Sequence, residues 1–399
     1  YQALVAADPN DFLAHLRLSQ LYRHRQRFDQ AAEHLASARA LAPDNLEVGF
    51  NQALLYEAQG KFGQAVEVLS DMVASMTRAS GGYDEQERRT RAILLEHLGG
   101  LHRQMENFDA AVETYELLRE LGEEEAVRAS HNIIETLRQA RRLEAAIARA
   151  RQAVEQFSEI AAFKLQLAAL LGDRGDLEPA VELVRGLLAD TDTSHHREAY
   201  LALAQIYERN KRYIEAEAAV AEAEKLSEDA AQREYVFFLR GAIYERQKKY
   251  DLAEQAFRRV LEMNPKSAIT LNYLGYMLAD RGVRLEESVE LVKQALESEP
   301  YNGAYLDSLG WAYYQQGKLE LAEEYLLKAV ERVQRDPTVH DHLGDLYHKL
   351  QRADLAQKHW ERSLAEWKAV PKTEFDPEAF AKVEAKLRAL KNRPATRKK

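Results

Sequence analysis

Apolar residues recur along the chain at helical spacing, and the helical blocks themselves recur. In the stretch AHLRLSQLYRHRQRFDQAAEHLASARALAPDN, Leu18, Ser19 and Tyr22 share one face of a first predicted helix. A polar turn follows at Arg25 to Arg27, and Phe28, Ala31, Leu35 and Ala38 then share one face of a second helix. Pro43 cannot continue that helix, and Asp44 or Asn45 can cap the next one. The small residues Ser19, Ala31 and Ala38 let the two backbones approach closely, while Leu18, Tyr22 and Leu35 fill the space between them.

The block repeats. Tyr22 and Tyr56, Phe28 and Phe62, Ala31 and Ala65, and Tyr313 and Tyr347 are each 34 residues apart, and Gly275, Gly310 and Gly344 follow at 35 and 34. A period of this length with helical spacing inside it predicts paired helices stacked as a solenoid. Ten full units are expected, starting near Phe12, Leu46, Ala92, Val127, Ala161, Arg197, Glu234, Ala268, Gly303 and Pro337. The pattern lacks its aromatics in the fourth and fifth units, as in HNIIETLRQARRLEAAIARARQA.

Four stretches depart from the period. YQALVAADP reads as the closing helix of a preceding unit, so the chain is expected to open inside a repeat. Residues 73–91 add 12 residues between the second and third units. There Gly81 and Gly82 break the helix, and Asp84 with Glu87 forms a capping box. Two lengthened helices joined by a glycine hinge are expected. Near the end, Phe380, Val383, Leu387 and Leu390 lie on one helical stripe, as a capping helix needs. The basic KNRPATRKK reads as a solvated tail.

The predicted organisation is therefore the end of a truncated repeat over 1–11, N-terminal repeats over 12–126 with the insertion at 73–91, and degenerate repeats over 127–196. C-terminal repeats over 197–370, a capping helix over 371–391 and the tail 392–399 follow.

These positions resemble the tetratricopeptide repeat pattern from end to end. The resemblance implies an all-α fold, a right-handed superhelix of about ten helix-pair repeats with a C-terminal capping helix. It also implies a concave groove lined by the first helices. Carried onto this sequence, the groove positions of the last units are Asn272, Tyr276, Asp307, Trp311, Tyr314, Asp341, Asp345 and His348, with Tyr235, Phe238 and Glu245 one unit earlier. Aromatic and acidic side chains of this kind suit an extended peptide with apolar and basic residues, and asparagine can hold its backbone by paired hydrogen bonds. A carboxylate clamp needs Lys, Asn and Arg at such positions, and this groove offers acids instead.

Composition narrows the function. Charged residues number 55 basic against 65 acidic, a net charge of −10, which argues against a nucleic-acid partner. There is no cysteine, so disulfides and thiolate chemistry are excluded. No apolar run approaches the roughly 20 residues of a membrane span, and any membrane tethering is expected through a segment upstream of Tyr1.

His340, His342, His348 and His359 crowd the tenth unit, but at 100° per residue His340 and His342 point to nearly opposite sides of their helix. Asp341, Asp345 and His348 share a face, yet a tight metal site needs further ligands and supporting hydrogen bonds. No metal and no cofactor is expected. G-x-S-x-G, H-E-x-x-H and P-loop signatures are missing, so the expected protein is non-catalytic.

The segment from Asn272 to Val330, with VHDHLGDLYHKL after it, is similar to the C-terminal repeats of bacterial envelope tetratricopeptide proteins. These include outer-membrane lipoproteins that serve as adaptors for a carboxy-terminal processing protease. The resemblance implies a periplasmic or outer-membrane place, although the lipobox cysteine of such lipoproteins does not occur in this sequence. The leading expectation is a scaffold or adaptor binding a protein or peptide in its groove. A self-assembling structural solenoid and the substrate-binding arm of an enzyme are the alternatives.

Overall fold

The computed structural model describes residues 1–78 and 82–392. Among them are 22 α-helices, a single 3-10 turn at Thr193–His195 and no strand. A short helix, α1 (Gln2–Ala7), comes first, and ten helix pairs follow. A last helix, α22 (Pro377–Lys391), completes the order. The chain divides into two compact units, residues 1–140 and 141–399.

The first unit pairs α2 (Phe12–His24) with α3 (Phe28–Leu41), α4 (Leu46–Ala58) with α5 (Phe62–Ser75), and α6 (Glu85–Gln104) with α7 (Phe108–Arg119), against which α8 (Glu123–Gln139) packs. Helix starts follow their capping residues. The Asp11 side chain accepts from the Ala14 N–H, and the Asn45 carboxamide oxygen accepts from those of Glu47 and Val48. Leu16, Ala31, Leu35 and Ala38 are wholly buried. Ser19 does more than allow close approach: its hydroxyl donates to the Ala31 carbonyl at 2.8 Å.

The insertion differs from expectation. Only one helix is lengthened: α6 has 20 residues, whereas α5 has 14, the same as α3. The extra residues join the front of α6 because the Asp84–Glu87 capping box starts the helix there. The buried Arg91 then ties its early turns to the Val73 carbonyl at 2.7 Å. Gly81 of the predicted hinge and the basic tail beyond Asn392 lie outside the described residues.

The second unit opens with α9 (Leu143–Gln156) and pairs α10 (Ala161–Arg174) with α11 (Leu177–Leu188), α12 (His196–Arg209) with α13 (Tyr213–Lys225), and α14 (Ala230–Arg246) with α15 (Tyr250–Met263). Next come α16 (Ala268–Asp280) with α17 (Leu285–Ser298), α18 (Gly303–Gln315) with α19 (Leu319–Arg332), and α20 (Pro337–Lys349) with α21 (Ala353–Trp367). Glycines make the close crossings possible. A Cβ on Gly275 would lie 2.6 Å from Val292 and 3.1 Å from the Ser288 carbonyl, and one on Gly344 would fall on the Trp360 indole. The bend inside each pair uses at least one residue with a left-handed backbone, for example Gln26, Gly60, Arg141 and Lys248.

Parts of the second unit far apart in sequence also meet. Arg141 donates to the Glu366 carboxylate at 2.7 Å and to the Arg335 carbonyl. The Thr373 hydroxyl donates to the Asp173 carbonyl at 2.8 Å, and the Lys248 ammonium meets Glu378 at 3.0 Å. Together these contacts bring the last repeat back to the bend before α9, and the start of α22 with the segment before it back to the ends of α14 and α10.

Candidate partner-binding site

The predicted groove residues stand on the first helices α14, α16, α18 and α20, which the 34-residue period brings side by side. Tyr235 and Phe238 belong to an aromatic patch. Phe238 meets Tyr273 edge-on at 5.0 Å and lies 6.0 Å from Phe257, and Tyr235 takes a 2.6 Å hydrogen bond from Gln205. Tyr235 and Tyr273 are each 40% exposed, so this patch is open to a partner.

The other predicted residues form a tighter layer. Trp311 is only 8% exposed and is sandwiched between Tyr314, at 4.8 Å, and His342, at 4.0 Å between ring centroids. The His342 Nδ1–H faces both carboxylate oxygens of Asp307 at 3.0 Å. Burial alone would push this imidazole down. Asp307, by charge and hydrogen bond, with Asp341 and Asp345 nearby, lifts it above its ordinary value. Tyr276, 6.2 Å from the His342 ring, has its hydroxyl pushed well up by desolvation and by the surrounding acids, though its side chain as a whole is half-buried. Burial and the charges of Asp345 and Asp341 push Tyr314 up to about 12.

Asp341 and Asp345 do not face open solvent. Lys386 of α22 lies between them, 2.8 Å from Asp341 and 2.7 Å from Asp345, and the Trp360 indole donates to the second Asp345 oxygen at 3.2 Å. Burial and the neighbouring Asp341 raise Asp345 above the usual carboxylate range. Burial would depress Lys386, but the two carboxylates raise it. His348 packs its ring 5.4 Å from Trp360. Asn272 is buried, and its carboxamide oxygen and the Trp311 indole N–H have no hydrogen-bond partner among the described residues.

The histidines separate as their helical positions require. His340 turns to His359, with 3.2 Å between their Nδ1 atoms, and donates to the Gln334 carbonyl at 3.0 Å, while His342 goes to Asp307. Among the described residues no three His, Asp or Glu side chains are grouped to hold a metal ion, and no helix is long and apolar enough to cross a membrane.

Sequence reasoning missed His342, Tyr273 and Lys386. His342 stands 35 residues after Asp307, the repeat distance that pairs adjacent first helices. Lys386 lies on the same stripe of α22 as Val383, Leu387 and Leu390. Both spacings were signals for contact.

A stack of helix hairpins, with Tyr235, Tyr276, Trp311, Asp307 and Asp341 all carried on first helices, is an α-solenoid scaffold, a class typical of protein–protein interaction. Within that class the chain belongs to the tetratricopeptide repeat family: one model of that repeat matches residues 1–46, 165–231, 284–340 and 308–372, more than half of the chain, and a second matches 235–267. The TPR repeat-containing protein PA4667 of Pseudomonas aeruginosa is 47% identical over 88 residues, which are 22% of this chain and 15% of that protein. Among solved structures, yeast Tom70 is similar at a TM-score of 0.53 and 17% identity, covering 98% of this chain and 91% of its own. Cut9, in the APC/C hetero-tetramer Cut9–Hcn1, gives 0.50 and 14%, with 97% and 91% covered. Both likenesses establish the all-α solenoid fold.

Proposed function

We propose that the chain is a non-catalytic scaffold that holds a partner polypeptide on the first-helix face of its second unit. The observation that carries this reading is the pairing of an open aromatic patch, Tyr235 with Tyr273, with two acids, Asp341 and Asp345, whose chemistry already draws in a lysine-bearing helix. Aromatic anchors supply affinity, and acids farther along the same row of first helices select basic residues. The finer reading is an adaptor in a bacterial envelope that serves a carboxy-terminal processing protease. It is supported by the similarity of the last repeats to those of envelope tetratricopeptide lipoproteins.

The test is site-specific photo-crosslinking in cells. A benzoylphenylalanine at Tyr235 or Tyr273 is expected to give a discrete adduct that mass spectrometry maps to one polypeptide. The same group at Leu327, exposed on α19, is expected to give none. Equal labelling from all three positions overturns the reading.

A further inference from the structure

The last helix sits on the candidate site as a ligand would. Lys386 places its ammonium between Asp341 and Asp345. Val383, three residues before it, is wholly buried, and Leu387 and Leu390, one and four residues after it, pack into the cluster that also contains Trp311 and Tyr314. One face of α22 therefore presents V-x-x-K-L-x-x-L, and the site answers a cation with two acids set among apolar side chains.

The hold on α22 is thin. Of its 15 residues only Val383 is fully buried, whereas the 13-residue α20 buries eight. Its two end contacts, Lys248 to Glu378 and Lys391 to Glu361, join well-exposed groups, and such pairs contribute little. The residues leading into it, 368–376, form turns without a regular helix. A helix held this way covers a surface more than it builds a core.

We propose that α22 is a built-in stand-in for a partner: the second unit recognises, in another polypeptide, an amphipathic helix bearing a lysine flanked by aliphatic residues in the V-x-x-K-L-x-x-L arrangement, and α22 leaves its seat when that helix docks. The proposal rests on the scaffold reading above and adds the partner's chemistry and its control. A tethered occupant competes at high effective concentration, so an incoming helix meets only the fraction of molecules whose site is vacant.

The probe is a fluorescein-labelled peptide of residues 376–391, followed by anisotropy. It is added to the full chain and to the full chain carrying Lys386→Glu, which sets a third carboxylate against Asp341 and Asp345. Binding to the variant is expected to be at least tenfold tighter than to the parent chain. It is expected to vanish when the peptide itself carries Lys386→Glu, or when Asp341→Asn and Asp345→Asn are added to the variant. Hydrogen exchange on the variant is expected to show fast amides in α22 with Val339 to Trp367 still protected. Three results overturn the proposal: a released α22 with no peptide binding, an α22 that stays protected despite Lys386→Glu, or a seat that unfolds together with it. None of these touches crosslinking from Tyr235 or Tyr273, so the scaffold reading stands or falls separately.

Discussion

Trp311 and His342 lie face to face, their planes 10° apart, with Asp307 hydrogen-bonded to the edge of the imidazole. The stack joins α18 to α20 and puts a cation-capable ring against an indole, an attraction that adds to the area both rings bury. Trp311→Ala removes the middle of the Tyr314–Trp311–His342 sandwich. The expected cost is about 3–5 kcal/mol, the range for a buried aromatic truncated to alanine. The denaturant midpoint of the variant checks it. Partner affinity measured on the same sample separates packing from binding, because a stable variant with weakened affinity would make the indole an anchor.

The Asp307–His342 pair gives one pH limb. The imidazole is raised in the folded state, so its contribution is fully present below the unfolded histidine value, about 6.5, and is lost as pH rises through the folded value. Melting temperatures of the parent chain are expected to fall across that alkaline limb. In Asp307→Asn the limb is expected to flatten, since the main source of the shift is removed.

The His340–His359 pair gives the opposite limb. The Gln334 carbonyl can only accept, so the neutral His340 donates from Nε2 and offers a bare Nδ1 to the His359 Nδ1–H. Burial and the charges of His340 and Lys358 push His359 down to about 4, and burial lowers His340 against its hydrogen bond to Gln334 and the nearby Glu366 and Asp336, with Arg362 adding to the fall. A depressed histidine contributes stability above about 6.5 and loses it as pH falls towards 4. His359→Phe is expected to lose much of this acid limb in a melting series from pH 7 to pH 4. The first unit repeats the arrangement with His15, His34 and the Pro9 carbonyl.

Gly275→Ala is expected to destabilise the second unit by about 1–3 kcal/mol, the usual cost of overpacking. The added methyl meets Val292 and the backbone carbonyl of Ser288, and the carbonyl cannot swing aside. The Ser288 hydroxyl, which donates to the Gly275 carbonyl at 2.7 Å, would be strained as well. An unchanged chemical-denaturation midpoint would contradict the close crossing.

Truncation after Pro371 removes α22 and bares the seat of Val383, Leu387 and Leu390. Under the stand-in proposal the repeat from Val339 to Trp367 keeps its exchange protection, and the bared apolar face drives concentration-dependent association. Light scattering over a dilution series, with hydrogen exchange on the same protein, reads both effects.

Local periodicity made most of the architecture legible. Helices α2, α4, α10, α16, α18 and α20 begin at the residues the repeat predicts, and a side-chain cap marks the start of α2, α4, α18 and α20. Helices α6, α8 and α14 begin earlier, at Glu85, Glu123 and Ala230, since added N-terminal turns leave the repeat register unchanged. The candidate site was legible as a set of positions, not as a set of contacts. A helical stripe assigns Asp341 and Asp345 to one face, but only tertiary packing brings Lys386 to them across 45 and 41 residues. Nothing local announces that Thr373 will meet Asp173 across 200.

The bends inside the helix pairs carry one last consequence. A left-handed backbone is easiest for glycine, and Gly60, Gly175, Gly282 and Gly317 occupy it in four pairs. Arg141 and Lys248 take the same conformation at a conformational cost, and theirs are the side chains that reach Glu366 and Glu378. Glycine at Arg141 would relax the bend and cut the largely buried tether to Glu366, whereas the exposed Lys248–Glu378 pair holds little. The second unit would then be easier to stretch at the same number of repeats, so its mechanical compliance depends on a bend where local comfort is given up for reach.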